Sequence, residues 1–338
     1  MVGIVSDLRF MDHDTGGYHP ESPLRIQYLH TLFTVEDPLI MLMDPAAAPV
    51  EDILLNHSRR YIDSIARTAD AGAFVDLDPD TVCCPDSYDV SLLAAGSLIH
   101  LTRAALGREI DAGFAFVRPP GHHARKERAM GFCVFNNVAV AAYKAIESFG
   151  VEKVAIVDFD IHHGNGTQES FYSDNRVLYF STHQYPFYPG TGSLSETGTG
   201  EGTGYTVNCP MSGGKKDGHY LSVYRYVLQP VIEAFEPDLV LVSAGFDAHA
   251  MDPIGGMQLS SRGFAAIAAV IQESARNVGA PVVYSLEGGY DLCALKESAS
   301  QVIGVLKGAP PPDIEPLAFH ELDNFIRIHG SIWPLTAS

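Results

Sequence analysis

The 338-residue chain predicts a single α/β domain, an open parallel sheet with helices on both faces. Three observations predict it. Short apolar runs alternate with longer helix-like stretches, the pattern of strands joined by crossover helices. Several of those runs stop abruptly in clusters of acids, imidazoles and glycines. The segments carrying these clusters spread from residue 118 to residue 290, so one folded unit must bring them together. In an open parallel sheet ligands collect outside the carboxyl ends of the strands, where such clusters would meet.

Taken along the chain, the first of these runs is Phe114-Ala115-Phe116-Val117, which opens into Arg118-Pro119-Pro120-Gly121-His122-His123. A helix is expected from Val138 to Phe149. The next run, Val154-Ala155-Ile156-Val157, ends in Asp158-Phe159-Asp160-Ile161-His162-His163-Gly164-Asn165-Gly166. Alternation there puts Asp158, Asp160 and His162 on one side of a strand leaving the sheet. A polar cluster this dense after a buried run is costly unless something binds it, and carboxylate with imidazole suits a borderline divalent ion such as zinc. Alone, a His-His or Asp-x-Asp after a strand is ordinary capping or turn chemistry. Recurrence argues otherwise.

Pro189 to Gly204 is Gly-rich and reads as a loop around a mouth rather than a linker. After a helix expected over Tyr220 to Phe235, Leu239-Val240-Leu241-Val242-Ser243-Ala244-Gly245-Phe246 ends in Asp247, with Asp252-Pro253 close behind. A third helix is expected from Ser261 to Val278. The last run, Val282 to Leu286, ends at Glu287-Gly288-Gly289-Tyr290, where glycines let the backbone approach a ligand. From Ala309 onward, through Pro310-Pro311-Pro312, a tail (309–338) is expected to leave the motif-bearing core (about 1–308) and pack on its outside.

These strand ends supply distinct roles. Asp160, His162 and Asp247 form a three-ligand metal set that keeps a position open, as catalytic zinc sites do. His122 and His123 supply a base for water and an acid for a leaving amine. Tyr290 offers a hydroxyl to the oxyanion of a tetrahedral intermediate. Together they spell metal-assisted amide hydrolysis.

Arg118-Pro-Pro-Gly-His-His-Ala, Met130-Gly-Phe-Cys-Val-Phe-Asn-Asn, Asp158-Phe-Asp-Ile-His-His-Gly-Asn-Gly-Thr, Tyr188-Pro-Gly-Thr-Gly, Ala244-Gly-Phe-Asp and Glu287-Gly-Gly-Tyr jointly resemble the zinc-dependent histone deacetylase superfamily, of arginase/deacetylase-like fold. Asn165, where class I members carry Asp, and His19-Pro-Glu-Ser-Pro-Leu-Arg point to its class II-like branch, which includes bacterial amidohydrolases. The resemblance covers roughly residues 1 to 308. It implies Asp160, His162 and Asp247 as zinc ligands, with His122 backed by Asp158 and His123 by Asn165. A carboxylate favours imidazolium whereas an amide only orients the ring, so His123 is the expected neutral base.

The resemblance implies more. A potassium ion would be held by Asp158, Asp160, His162, Ser181 and the backbone at Thr182, and a second monovalent site by Phe171, Asp174, Val177 and Tyr205. Gly131, Phe132 and Tyr188 would line the channel for an acylated lysine, Tyr188 standing where many relatives carry Phe. Arg25 would line an internal product channel, and Asp80 would grip the substrate backbone at the rim. Polyamine-selective relatives carry Glu after the Asp-Pro beyond the third ligand. Here that position is Ile254, which favours acyl-lysine in peptides.

Composition bounds the rest. A net charge of −19 disfavours direct nucleic-acid binding and favours cationic partners. Five cysteines without paired spacing imply neither a disulfide framework nor a zinc ribbon. No basic leader or membrane-length apolar run is visible, so a cytoplasmic enzyme is expected. The alternatives are an acetylpolyamine or other small-amide amidohydrolase and a noncatalytic binding protein on the same fold. The latter would need damage to the site residues, all of which are present. A binuclear manganese ureohydrolase fits poorly, because the third residue of its Asp-x-His-x-Asp signature is Gly164. Sequence names neither natural substrate nor oligomeric state.

Overall fold

Strand runs with no polar alternation are buried on both faces, which in a protein of this class means a parallel sheet covered by helices. The computed structural model describes residues 1–335 and has that form. Its strands are β1 (Val2–Ser6), β2 (Ile40–Leu42), β3 (Val75–Asp78), β4 (Thr81–Cys83), β5 (Ala112–Phe116), β6 (Val154–Asp158), β7 (Val177–Gln184), β8 (Thr206–Met211), β9 (Leu239–Ala244) and β10 (Val282–Leu286). Eight form one sheet in the order β2-β1-β5-β10-β9-β6-β7-β8, every pair parallel. Strands β3 and β4 form a separate antiparallel hairpin with Asp80 in its turn.

Register places polar residues where the strands end. Asp158 lies opposite Ser181 of β7 and Ser243 of β9, and Ser243 lies opposite Ser285 of β10. This polar row crosses an otherwise apolar sheet at its carboxyl edge. Because β9 and β10 insert between β5 and β6, strands far apart in sequence become neighbours there: Ala112 lies opposite Val282, and Val154 opposite Leu239.

The helices follow from local signals. Asn136 accepts the N–H of Ala139 and starts the helix Asn137–Ser148; Ser260 does the same for Gly263 and the helix Ser261–Val278. Gly279, left-handed at φ +78°, closes the latter. The helix expected over 220–235 is interrupted. Asp217–Val223 and Gln229–Phe235 are joined by a π turn, Tyr224–Leu228, in which Gln229 N donates to Tyr224 O. Pro230 has no N–H to give, so the wider turn absorbs the break.

The tail runs as coil to the helix His320–His329, which covers the edge strand β8. His329 Nε2 bonds Asn208 O at 2.9 Å and Trp333 Nε1 donates to Gly204 O at 2.9 Å. An uncovered edge would offer unpaired backbone groups to other chains. Among the described residues no helix is long and apolar enough to cross a membrane.

One ionic hub lies within the core. Glu21, Arg25 and Arg118 are all fully buried; Arg25 Nη1 donates to Glu21 Oε1 at 2.8 Å and Arg118 Nη2 to Glu21 Oε2 at 2.7 Å. The two guanidiniums hold the Glu21 carboxyl down at about 2 although burial alone would raise it. Removing one member leaves uncompensated buried charge, at a cost of about 3–5 kcal/mol. Glu21→Ala should therefore lower the urea-unfolding free energy by about that amount; a loss below about 1 kcal/mol would mean the hub contributes little.

Candidate active site

Strand β6 stops at Asp158, so the expectation of one strand carrying Asp158, Asp160 and His162 on a shared side needs correction. The following residues turn instead, held by their own carboxylates. Asp160 N donates to Asp158 Oδ1 at 3.2 Å, His162 N to Asp160 Oδ1 at 2.9 Å and Ile161 N to Asp247 Oδ1 at 2.9 Å. These bonds compete with strand pairing and bring Asp160 and His162 to Asp247, three residues beyond β9. Donor atoms of the three lie within 4.8 Å of one another, and all three side chains are buried.

The set asks for positive charge. His162 Nδ1 lies 3.0 Å from Asp160 Oδ1 and 3.2 Å from Asp247 Oδ2, and these carboxylates pull its pKa up to about 10 against the burial that opposes it. Burial and the nearby Asp160 push Asp247 up to about 7. Its Oδ2, fully buried, accepts no well-aligned hydrogen bond. An orphaned carboxylate oxygen converging with a second carboxylate and an imidazole fits a divalent cation.

Two imidazole dyads stand over this set. His122 Nδ1 faces Asp158 Oδ2 at 3.1 Å, and that oxygen also accepts the Tyr179 hydroxyl at 3.0 Å. His123 Nδ1 faces Asn165 Oδ1 at 2.8 Å. The rings are 4.0 Å apart between centroids, yet their electrostatics diverge. Burial opposes charge on both, but Asp158 and Asp160 overcome it at His122, which is pushed up to about 10. At His123 burial, His122 and His162 act together and hold the pKa well below the usual imidazole range. This is the direction expected from a carboxylate partner on one ring and an amide on the other.

Tyr290 follows β10 on a turn that only glycine permits. A Cβ on Gly288 would lie 2.2 Å from Asp247 Oδ2, and Gly288 N donates to Asp160 Oδ2 at 2.8 Å. Asp252 Oδ2 accepts Tyr290 N at 2.6 Å, while its Oδ1 accepts Ile254 N at 3.0 Å, so one carboxylate ties the Ile254 turn to Tyr290. Burial and the charges of Asp247 and Asp160 raise the phenol well above its ordinary value, keeping it a protonated donor.

Aromatic walls flank the approach. Phe132 meets Tyr290 edge-on at 5.8 Å and His19 at 4.7 Å; Tyr188, half-exposed, meets His123 at 5.2 Å and His162 at 6.0 Å. Gly131 has φ +57°, and a Cβ there would sit 2.3 Å from the His123 ring, so the residue lets the wall close on the imidazole. Asp80 Oδ1 accepts Gly131 N at 3.2 Å, which sets it beside the Gly131–Phe132 backbone. Arg25 is not a surface charge. Its Nε donates to Gly289 O at 2.7 Å and its guanidinium lies 5.2 Å from the centroid of the Tyr290 ring.

The other expected ion-site residues are scattered through ordinary hydrogen bonding. Ser181 Oγ bonds His183 Nδ1 at 2.9 Å and Thr182 Oγ1 bonds the Tyr224 hydroxyl at 3.2 Å. Around the start of β7 at Val177, Phe171 O accepts Asp174 N, Tyr205 O accepts Tyr179 N, and the Asp174 carboxylate is engaged by Arg176 at 2.7 Å. Sequence reasoning missed Tyr179, Asp252, the ring of Phe187 stacked on His162 at 5.3 Å, and the Glu21–Arg118 pair. Their partners lie tens of residues away, and no local pattern marks them.

Sheet order and helix layers define the arginase/deacetylase fold. The histone deacetylase domain model matches residues 19–306. A probable deacetylase of Archaeoglobus fulgidus is 35% identical, over 98% of this chain and 99% of that protein. Histone deacetylase 10, chloroplastic, of Oryza sativa subsp. japonica is 41% identical over 80% of this chain and 64% of its own length. Among solved structures, the HDA15 HD domain superposes with a TM-score of 0.91 at 34% identity, over 98% of this chain and 95% of that one. The chain belongs to the histone deacetylase family and is a deacetylase or related amidohydrolase.

Proposed function

We propose that this protein hydrolyses the amide of an Nε-acyl-lysine, typically acetyl-lysine, in a peptide or protein, and that it does so with zinc. The observation that carries the reading is the orphaned Asp247 Oδ2 facing Asp160 and His162 beneath a neutral His123 and a protonated Tyr290. Asp160, His162 and Asp247 would hold the zinc, which when bound polarises the scissile carbonyl and acidifies water. The rest is done by side chains. Asn165 Oδ1 accepts a hydrogen bond from the Nδ1–H of His123, leaving Nε2 free to accept a proton from the attacking water and later return it to the lysine amine. His122, kept cationic by Asp158, supplies fixed positive charge beside the developing oxyanion, and Tyr290 donates a hydrogen bond to it. One water is consumed, and acetate and free lysine leave.

Phe132 and Tyr188 form the walls for the lysine methylenes, Gly131 and Ile254 complete the channel, and Asp80 grips the peptide at the rim. Potassium held by Asp158, Asp160, His162, Ser181 and the Thr182 backbone is supported by the buried carboxylates there, whereas a second monovalent ion at Phe171, Asp174, Val177 and Tyr205 rests on the family resemblance alone. We read residues 1–338 as one catalytic unit, because a continuous hydrophobic cluster joins Val2 to Trp333. A net charge of −19 supports cationic substrates over nucleic acid, and five free thiols, four of them buried, support a cytoplasmic place of work.

A small acetylated amine is the second reading, and Ile254 discriminates. It offers no charge to a distal ammonium, so the wild type should prefer acetyl-lysine peptides over acetylspermidine-like amides. Ile254→Glu should shift the kcat/KM ratio toward polyamines several-fold, since a partly exposed ion pair contributes about 1 kcal/mol or less. A panel of acetyl-lysine peptides, longer acyl-lysines and acetylated polyamines with zinc checks this. Wild-type turnover of polyamines far above every peptide would replace the first reading with the second.

A further inference from the structure

We infer that Glu287 is the positioning residue that sets the His122–His123 pair at its distance from Tyr290, an inference that rests on the roles proposed above for those three residues. Glu287 is fully buried immediately after β10. Its Oε2 accepts Gly121 N at 2.7 Å and His122 N at 3.1 Å, and its Oε1 accepts the Ser243 hydroxyl at 3.0 Å. Its main chain faces the other way. Glu287 N donates to Ala244 O at 3.0 Å, and Arg25 binds the carbonyls of Glu287 and Gly289 under the ring of Tyr290. One residue thus carries the phenol three positions on while its side chain holds the histidines' backbone. On its far side the His122 peptide is clamped again, because Gly166 N and Thr167 N both donate to His122 O at 3.1 Å.

Three donors aim at this carboxylate and none of them needs a donor in return, which is what an acceptor-only group satisfies. A glutamine could reproduce the contacts, with Oε1 taking the two N–H groups and Nε2 donating to Ser243 Oγ. An aspartate keeps the charge but falls short by one carbon–carbon bond, about 1.5 Å. A displacement of about 1 Å at a reacting group costs on the order of 10²-fold in rate. Positioning therefore ranks glutamine above aspartate, whereas a role for the negative charge ranks them in reverse.

The test compares wild type, Glu287→Gln and Glu287→Asp on the best substrate of the panel, reading kcat, KM, zinc content and Tm. The expected result is kcat within about tenfold for Gln and reduced about 10²-fold for Asp, with KM within about threefold and full zinc in both. The inference is overturned if Asp retains kcat within about threefold of wild type, if Gln falls as far as Asp or further, or if the loss tracks missing zinc. Failure of the wild type on every substrate would instead overturn the functional reading itself.

Discussion

Replacing Asp247 with alanine should leave a folded protein that no longer retains zinc. Asp247 contributes one of three donors, its Oδ1 fixes the turn through Ile161 N, and its buried Oδ2 accepts no well-aligned hydrogen bond. Losing an outer-shell partner of a bound metal already costs about 10–100-fold in affinity, so losing a ligand should cost more. The fold should survive, because the substitution also removes a buried carboxylate whose pKa burial and the neighbouring Asp160 raise, so its charge is costly to hold there. Elemental analysis after dialysis gives the readout, with Tm as the control. Full stoichiometric zinc in the variant would sink the assignment of Asp247 as a ligand.

Tyr290→Phe should lower kcat by about 10²–10³-fold with KM nearly unchanged, because a donor aimed where charge develops acts on the transition state and not on the bound substrate. Two features of this chain sharpen the expectation. The phenol is held protonated by burial and by Asp247 and Asp160, so it is a donor throughout the neutral range. Its backbone is pinned by Asp252 and its ring covered by Arg25, so phenylalanine should occupy the same place without the hydroxyl. Steady-state kinetics on the preferred substrate separate the cases. An unchanged kcat with a raised KM would make Tyr290 a binding residue only.

Strand ends were legible because burial on both faces leaves apolar runs that stop where chemistry starts. Val154–Asp158, Leu239–Ala244 and Val282–Leu286 could be read in this way, and so could the helix Ser261–Val278. The π turn at Tyr224 was not, since Pro230 follows good helix formers and the accommodation is set by packing. Arg25 illustrates the same limit at the site. By local pattern alone an arginine after a proline and a leucine is an ordinary surface charge; the resemblance placed it inside, and its carbonyl partners at Glu287 and Gly289 are what hold it there.

What the sequence determined by itself was the inventory: two carboxylates and an imidazole for a cation, two further imidazoles, a phenol on a glycine turn, and the family to which their spacing belongs. What only the tertiary structure decided was which of these groups face one another and in what charge state. Insertion of β9 and β10 between β5 and β6 brings Glu287 to His122 and Asp247 to Asp160, and the charges gathered there push the pKa values of His122 and His123 in opposite directions although they are adjacent in the chain. The reason is physical. Residue types follow from local sequence, whereas a pKa depends on desolvation and on charges a few ångströms away that the chain supplies from distant positions.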